Sequence, residues 1–136
     1  MSPLLLDTNA AIWLSRDELR ASTSEMLDDA ARAGVATYVS PISAWEVGQL
    51  VSRNRLNLST TPQRWFARVL ATPNVHLTGL SPDILIASSF LPGTPPRDPM
   101  DRILIATARE LAAMLVTRDR AIIAYGAQGH VRVVEC

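Results

Sequence analysis

Three consecutive leucines, Leu4-Leu5-Leu6, run straight into an aspartate, Asp7. A strand with one wet face alternates apolar and polar residues, whereas a strand that is apolar at every position must be covered on both faces. Residues 3–6 therefore read as a short buried strand. The same continuous pattern returns in residues 114–117 (MLVT). Residues 35–40 (VATYVS) and 131–135 (VRVVE) are rich in β-formers, and 75–80 (VHLTGL) is a weaker candidate.

Helical segments lie between these strands. Residues 8–15 read as a short helix. In 18–34, Leu19, Met26, Leu27, Ala30 and Ala31 share one face, with Gly34 at the position just past the helix end. Residues 42–53 and 61–72 read as two more helices. In 81–91, Ser81 is an N-cap and Pro82 the first helical residue. A stiff loop, 92–99 (PGTPPRDP), holds four of the nine prolines and leads into an almost wholly apolar helix over 99–112. A last turn and short helix fill 118–129. Strands alternating with helices predict a three-layer α/β/α sandwich on a mostly parallel sheet. No repeat, low-complexity tract or boundary divides the 136 residues, so one domain over 1–136 is expected.

The acids fall at telling places. Asp7 follows the first strand. Glu46 lies in the first turn of the helix after the second, and Asp98 and Asp101 open the apolar helix. Asp119 follows MLVT. In a parallel α/β sheet these points share the edge outside the carboxyl ends of the strands, where ligands bind. Each acid alone also reads as a helix cap or turn residue. Ser43 and Glu46 form a capping box with Ile42 and Val47 as its hydrophobic staple. Asp98, Pro99 and Asp101 form a standard helix start, and Asp7 suits the cap of the helix near Asn9. Together the acids are harder to explain as caps, because Ser, Thr or Asn would serve and clustered carboxylates repel. Divalent cations would relieve that repulsion, and an all-oxygen set suits Mg²⁺ or Mn²⁺. Thr8, Asn9, Ser43 and Thr117 are small polar neighbours able to orient ligands or water. His76 and His130 have no partner at ligand spacing, so zinc has little support.

Composition removes several chemistries. All 13 basic residues are Arg, against 13 acids, for a net charge of zero. Without lysine there is no P-loop phosphate cradle and no Schiff base. A polyanion would be held by local arginines rather than by a global field. Cys136 is the only cysteine, so no disulfide forms within the chain, which fits the reducing cytoplasm. No 18-residue apolar stretch and no basic leader are present, so neither a membrane span nor a signal peptide is expected.

The motifs LLLDTN, ISAWEV, RDPMDRILIATA and LVTRD, in that order, resemble those of the PIN-domain ribonucleases, in particular the VapC-type toxins of toxin–antitoxin pairs. With the segments between them they cover essentially the whole chain. The resemblance implies a Mg²⁺- or Mn²⁺-dependent endoribonuclease. It implies that Asp7, Glu46, Asp101 and Asp119 carry the metal, with Asp98 as an accessory acid. It also implies a homodimer and a cognate antitoxin whose tail crosses the site. Members often carry a histidine before the RDP stretch; Pro96 stands there in this chain.

Arg53, Arg55, Arg97, Arg102, Arg118 and Arg120 are candidates for gripping RNA, with Arg53, Arg55 and Arg97 preferred as a group. Of the adjacent Trp65 and Phe66, one is expected to face outward, the alternative being that both pack. Trp13 and Trp45 are expected in the core. The competing functions are a catalytically inactive PIN-like or receiver-like regulator and a metal-dependent phosphatase or single-stranded DNA nuclease. The missing lysine counts against a receiver, and the retained acids count against an inactive domain.

Overall fold

The computed structural model describes residues 1–136. Five strands, β1 (Leu4–Leu6), β2 (Thr37–Val39), β3 (Val75–Leu77), β4 (Met114–Thr117) and β5 (Arg132–Glu135), form one sheet in the order β3-β2-β1-β4-β5. Every pairing is parallel. Seven helices connect them: α1 (Thr8–Ser15), α2 (Ala21–Arg32), α3 (Pro41–Ser52), α4 (Pro62–Ala71), α5 (Pro82–Ala87), α6 (Pro99–Leu111) and α7 (Arg120–Ala127). The expected three-layer, parallel architecture is present, with β1 at its centre.

The leucine run splits between the two faces. Leu4 and Leu6 join a core with Ala10, Ile12, Ala30, Val47, Trp65 and Val69, from α1 to α4. Leu5 points the other way, into a core of Leu104, Ile105, Ala108, Ile122 and Tyr125, from α6 and α7. A strand apolar at every position is what a sheet with two covered faces requires.

Register sets the site. Leu6 pairs with Val39 on one side and Val116 on the other. The next residues, Asp7, Ser40 and Thr117, therefore stand level at the carboxyl edge. Strand order reverses between β1 and β4, and that switch point opens the crevice where α/β sheets bind ligands.

Most helix starts follow the sequence signals. Ser81 and Asp98 cap α5 and α6 from just before Pro82 and Pro99. Gly34 takes φ +70 just past α2, a conformation that strains residues with a Cβ. One start differs. Ser43 is not an N-cap: Ser40 caps α3, its hydroxyl accepting from the Ile42 N–H at 3.1 Å, and Pro41 is the first helical residue. Proline fixes a helix-ready φ and needs no hydrogen-bond acceptor, so α3 begins there. Ser43 is thus inside the helix and Glu46 lies in its second turn, so the capping box does not form.

The aromatic expectations also change. Trp65 is buried, its Nε1 donating to Ser15 Oγ at 2.9 Å, and the half-buried Phe66 packs on the same core. Both pack; neither stands out in solvent. The outward aromatic of α3 is Trp45, 54% exposed rather than core. Ser43 and Val47 take the inward face of α3, which turns Trp45 away.

Candidate active site

Asp7 is buried, 5% exposed, at the end of the central strand. Its backbone N–H donates to the Val116 carbonyl at 3.0 Å, locking β1 to β4. Its Oδ1 accepts from the Ala10 N–H at 2.7 Å, which caps α1. Its Oδ2 accepts from the Thr117 hydroxyl. The capping and ligand readings of Asp7 are therefore compatible, since the cap holds the carboxylate still.

Thr117 does two jobs. While its hydroxyl donates to Asp7, the same oxygen accepts from the Asp119 N–H at 3.0 Å. One hydroxyl thus ties the acid of β1 to the acid that follows β4. Asp119 also caps α7, its carboxylate accepting from the Ile122 N–H at 3.0 Å. On the other side, Thr8 Oγ1 donates to Ser43 Oγ at 2.9 Å in a buried contact between α1 and α3. Glu46 lies one turn beyond Ser43 on the same helix face, half-buried. Asp98 caps α6, accepting from the Met100 N–H at 2.7 Å, and half-buried Asp101 follows in the first turn. Asn9 is exposed beside this edge and makes no side-chain hydrogen bond.

The electrostatics show that these acids face one another. Burial pushes the Asp101 carboxyl up to about 7, and repulsion from Asp119, Asp98, Glu46 and Asp7 adds to it. Asp7 is raised as well, chiefly by burial. The hydrogen bonds from Thr117 and Ala10 work against that rise, and the charges of Glu46 and Asp119 reinforce it. Neither acid forms an ion pair with an arginine. The molecule's single ion pair, Arg32 with Asp29, lies on exposed α2.

The donor set fits a hard divalent cation, being all carboxylate and hydroxyl. No three of the carboxylates are grouped closely enough to hold one ion between them. That spacing still suits Mg²⁺, which takes one or two carboxylates directly and keeps several waters.

The preferred arginines are less well placed. Arg53 caps the far end of α3, seven residues past Glu46 and so about 10 Å along the helix axis. Arg55 lies beyond it. Both are exposed and neither joins the acid cluster. Arg97 is exposed directly before Asp98, while Arg102 spends its Nε on the Pro96 carbonyl at 2.6 Å. The contact that sequence reasoning undervalued is Arg118, whose guanidinium lies 3.8 Å from the centre of the Trp13 ring.

Thr117 offers a direct test of this arrangement. Thr117→Val keeps the shape and removes the hydroxyl. Asp7 should then rise further, and Mn²⁺ affinity should fall about 10–100-fold, as for other lost ligand-orienting contacts. Calorimetric titration with Mn²⁺ reads this, and unchanged affinity would show that the hydroxyl serves only the fold.

The PIN domain family profile matches residues 4–127. Ribonuclease VapC22 of Mycobacterium tuberculosis is 32% identical over 122 residues, spanning 88% of this chain and 89% of that protein. A chain in the crystal structure of VapBC2 from Rickettsia felis, bound to a promoter DNA fragment, superposes with a TM-score of 0.70 at 16% identity, over 97% of both chains. A chain of a toxin–antitoxin complex from Klebsiella pneumoniae gives a TM-score of 0.62 at 26% identity, over 97% of this chain and 96% of that one. With its parallel sheet, its ordered motifs and these matches, the chain belongs to the PIN-domain family and is of the VapC type.

Proposed function

We propose that this protein is a Mg²⁺- or Mn²⁺-dependent endoribonuclease and the toxin of a toxin–antitoxin pair. One observation carries the chemistry: Asp7, Glu46, Asp98, Asp101 and Asp119 gather at the switch-point edge, where burial and then their mutual repulsion raise Asp101 to about 7, and none of them forms an ion pair. Such a cluster is costly for the fold and is useful when a cation occupies it. Asp7, Glu46, Asp101 and Asp119 would hold the ion, one or two of them directly and the others through its waters, with Asp98 as an accessory acid. Bound there, the ion would supply Lewis-acid polarisation of a phosphate oxygen and acidify a water molecule.

The protein's own groups do the positioning. The short, doubly covered β1 fixes Asp7, and Thr117 fixes its outer oxygen while seating Asp119. The Thr8–Ser43 hydrogen bond sets the start of α3 and with it Glu46. Because Asp101 exchanges its proton near neutral pH, metal binding releases that proton and tightens as pH rises.

The similarity to VapC22 and to chains of toxin–antitoxin complexes supports RNA as substrate and a cognate antitoxin as partner, and the homodimer rests on the resemblance to the family. No helix is long and apolar enough to cross a membrane. We place the protein in the cytoplasm, where its RNA substrate lies, as one nuclease domain over residues 1–136.

The test is cleavage mapping on total cellular RNA with Mg²⁺ or Mn²⁺. Discrete, metal-dependent cuts are expected, lost with EDTA and in a folded Asp7→Asn protein. Full activity of Asp7→Asn would sink the proposal. Single-stranded DNA and a phosphomonoester, assayed alongside, separate RNA cleavage from the competing activities.

A further inference from the structure

Arg118 is the one arginine near the acids whose position is fixed from two sides. Its guanidinium stacks on Trp13, 3.8 Å from the ring centre. Its Nε donates to the main-chain oxygen of Cys136 at 2.6 Å. Register explains the second contact. Thr117 pairs with Glu135, so Arg118 and Cys136 stand level just past β4 and β5. The Cys136 N–H also donates to the Thr117 carbonyl at 3.1 Å.

These contacts use the Nε and one face of the guanidinium. The guanidinium also opposes the rise that burial gives the Cys136 thiol, through its charge and a side-chain hydrogen bond, and it forms no ion pair with a carboxylate side chain. The residue is exposed, and it directly precedes Asp119 on the edge that carries Asp7. Arg118 forms no ion pair with any acid of the cluster, and its charge and that of Asp7 both act on the buried Cys136 thiol between them. An arginine tied to a ring and to Cys136, exposed and without an ion pair on the edge that carries the acids, is preorganised for an anion from outside. Planar guanidinium binds phosphate in a forked, bidentate way, and stacking removes most of the rotamer freedom that binding would otherwise cost.

We propose that Arg118, held by Trp13 and Cys136, is a substrate-binding residue that grips an RNA phosphate beside the carboxylate cluster. This rests on the ribonuclease reading and names the contact that the reading lacks. It replaces Arg53 and Arg55, which lie at the wrong end of α3. The plain alternative is a clamp, in which Arg118 only pins the end of β5 to α1.

The experiment uses the full chain with Asp101→Asn, which removes turnover. A fluorescein-labelled single-stranded RNA of about twelve nucleotides is titrated at several NaCl concentrations, the length following the site sizes of such grooves. Arg118→Met keeps the stem over Trp13 and loses the charge and the fork. It is expected to weaken binding about 10–100-fold. It should also flatten the slope of log K against log salt by about 0.7, the loss of one phosphate contact on a single strand. Arg118→Lys should keep the slope and recover only part of the affinity. Affinity and slope equal to the parent in Arg118→Met would overturn the proposal, whether or not the melting temperature falls, and would leave the clamp. A parent that binds no RNA at low salt overturns it too. In the chain with Asp101 intact, RNA binding without cleavage in Mn²⁺ would remove the nuclease reading alone, while the slope still decides Arg118.

Discussion

Asp101→Asn is expected to abolish RNA cleavage and, in metal-free buffer, to make the protein more stable. Those two signs follow from one environment. The Asp101 carboxylate makes no hydrogen bond; only its backbone N–H does, to Asp98 at 3.4 Å. Partial burial, and after it the charges of four other carboxylates, lift it from 3.8 to about 7. A shift of that size corresponds to about 4 kcal/mol, and solvent at a half-buried group screens it to about 1–2 kcal/mol. The amide removes that cost without losing a partner. At about 3–5 °C per kcal/mol for a chain of this size, the metal-free melting temperature at pH 7.5 should rise by roughly 3–10 °C. Cleavage should fall by about 100-fold or more, because in the proposed site Asp101 holds the ion and a ligand outweighs an orienting contact. Asp98→Asn is the comparison: asparagine caps a helix as well as aspartate, so α6 keeps its start, and losing one of the charges that raise Asp101 should stabilise the metal-free protein less than Asp101→Asn does. Scanning calorimetry in EDTA and a cleavage assay on the same samples decide the matter. An Asp101→Asn protein that is less stable than its parent would mean that the acid serves the fold, and the four-carboxylate reading would fail with it.

Much of this was readable from sequence because the relevant forces are local. A run of three apolar residues ending on an acid dictates a doubly covered strand and a carboxylate at its end. Asp98-Pro99 and Ser81-Pro82 announce helix starts through cap chemistry and fixed φ. The same signature stands at Ser40-Pro41, and there the capping-box pattern around Ser43 and Glu46 competed with it. The proline won because its ring enforces the geometry, whereas the box is only a favourable pair of hydrogen bonds. The shift of three residues moved Glu46 one turn deeper yet kept it on the face of Ser43, so its place near the other acids survived.

What sequence could not show is tertiary. Nothing local says that Trp45 faces solvent, because inside a helix the inward face is chosen by neighbouring layers. Arg53 and Arg55 looked close to Glu46 along the chain, and a rise of about 1.5 Å per residue carried them to the other end of α3. Arg118 looked like any surface arginine beside a turn. Its stack on Trp13 joins residues a hundred positions apart, and its bond to Cys136 depends on the register of β4 with β5.

The metal-free protein is expected to lose stability as pH rises from 5 to 7.5, and divalent ions should restore it. The sign follows from the raised carboxyls. Between 3.8 and about 7 the folded Asp101 keeps a proton that the unfolded chain has released. Where the native state binds more protons, stability falls as pH rises, so the loss accrues across that window and levels off above it. Asp7 is raised too and acts in the same direction. This runs against the usual behaviour of paired carboxylates, whose depressed values make proteins weaker in acid. Adding Mg²⁺ or Mn²⁺ at pH 7.5 replaces repulsion with attraction. At about 100 times its dissociation constant a ligand contributes about 2.7 kcal/mol, or roughly 10 °C here. At pH 5 the same ion must displace the Asp101 proton, so its effect should be much smaller. A thermal-shift grid of pH against Mn²⁺, with EDTA as reference, measures all of this on one plate. A melting temperature that climbs from pH 5 to 7.5 in EDTA, or an ion effect equal at both pH values, would show that the carboxylates do not share one electrostatic site.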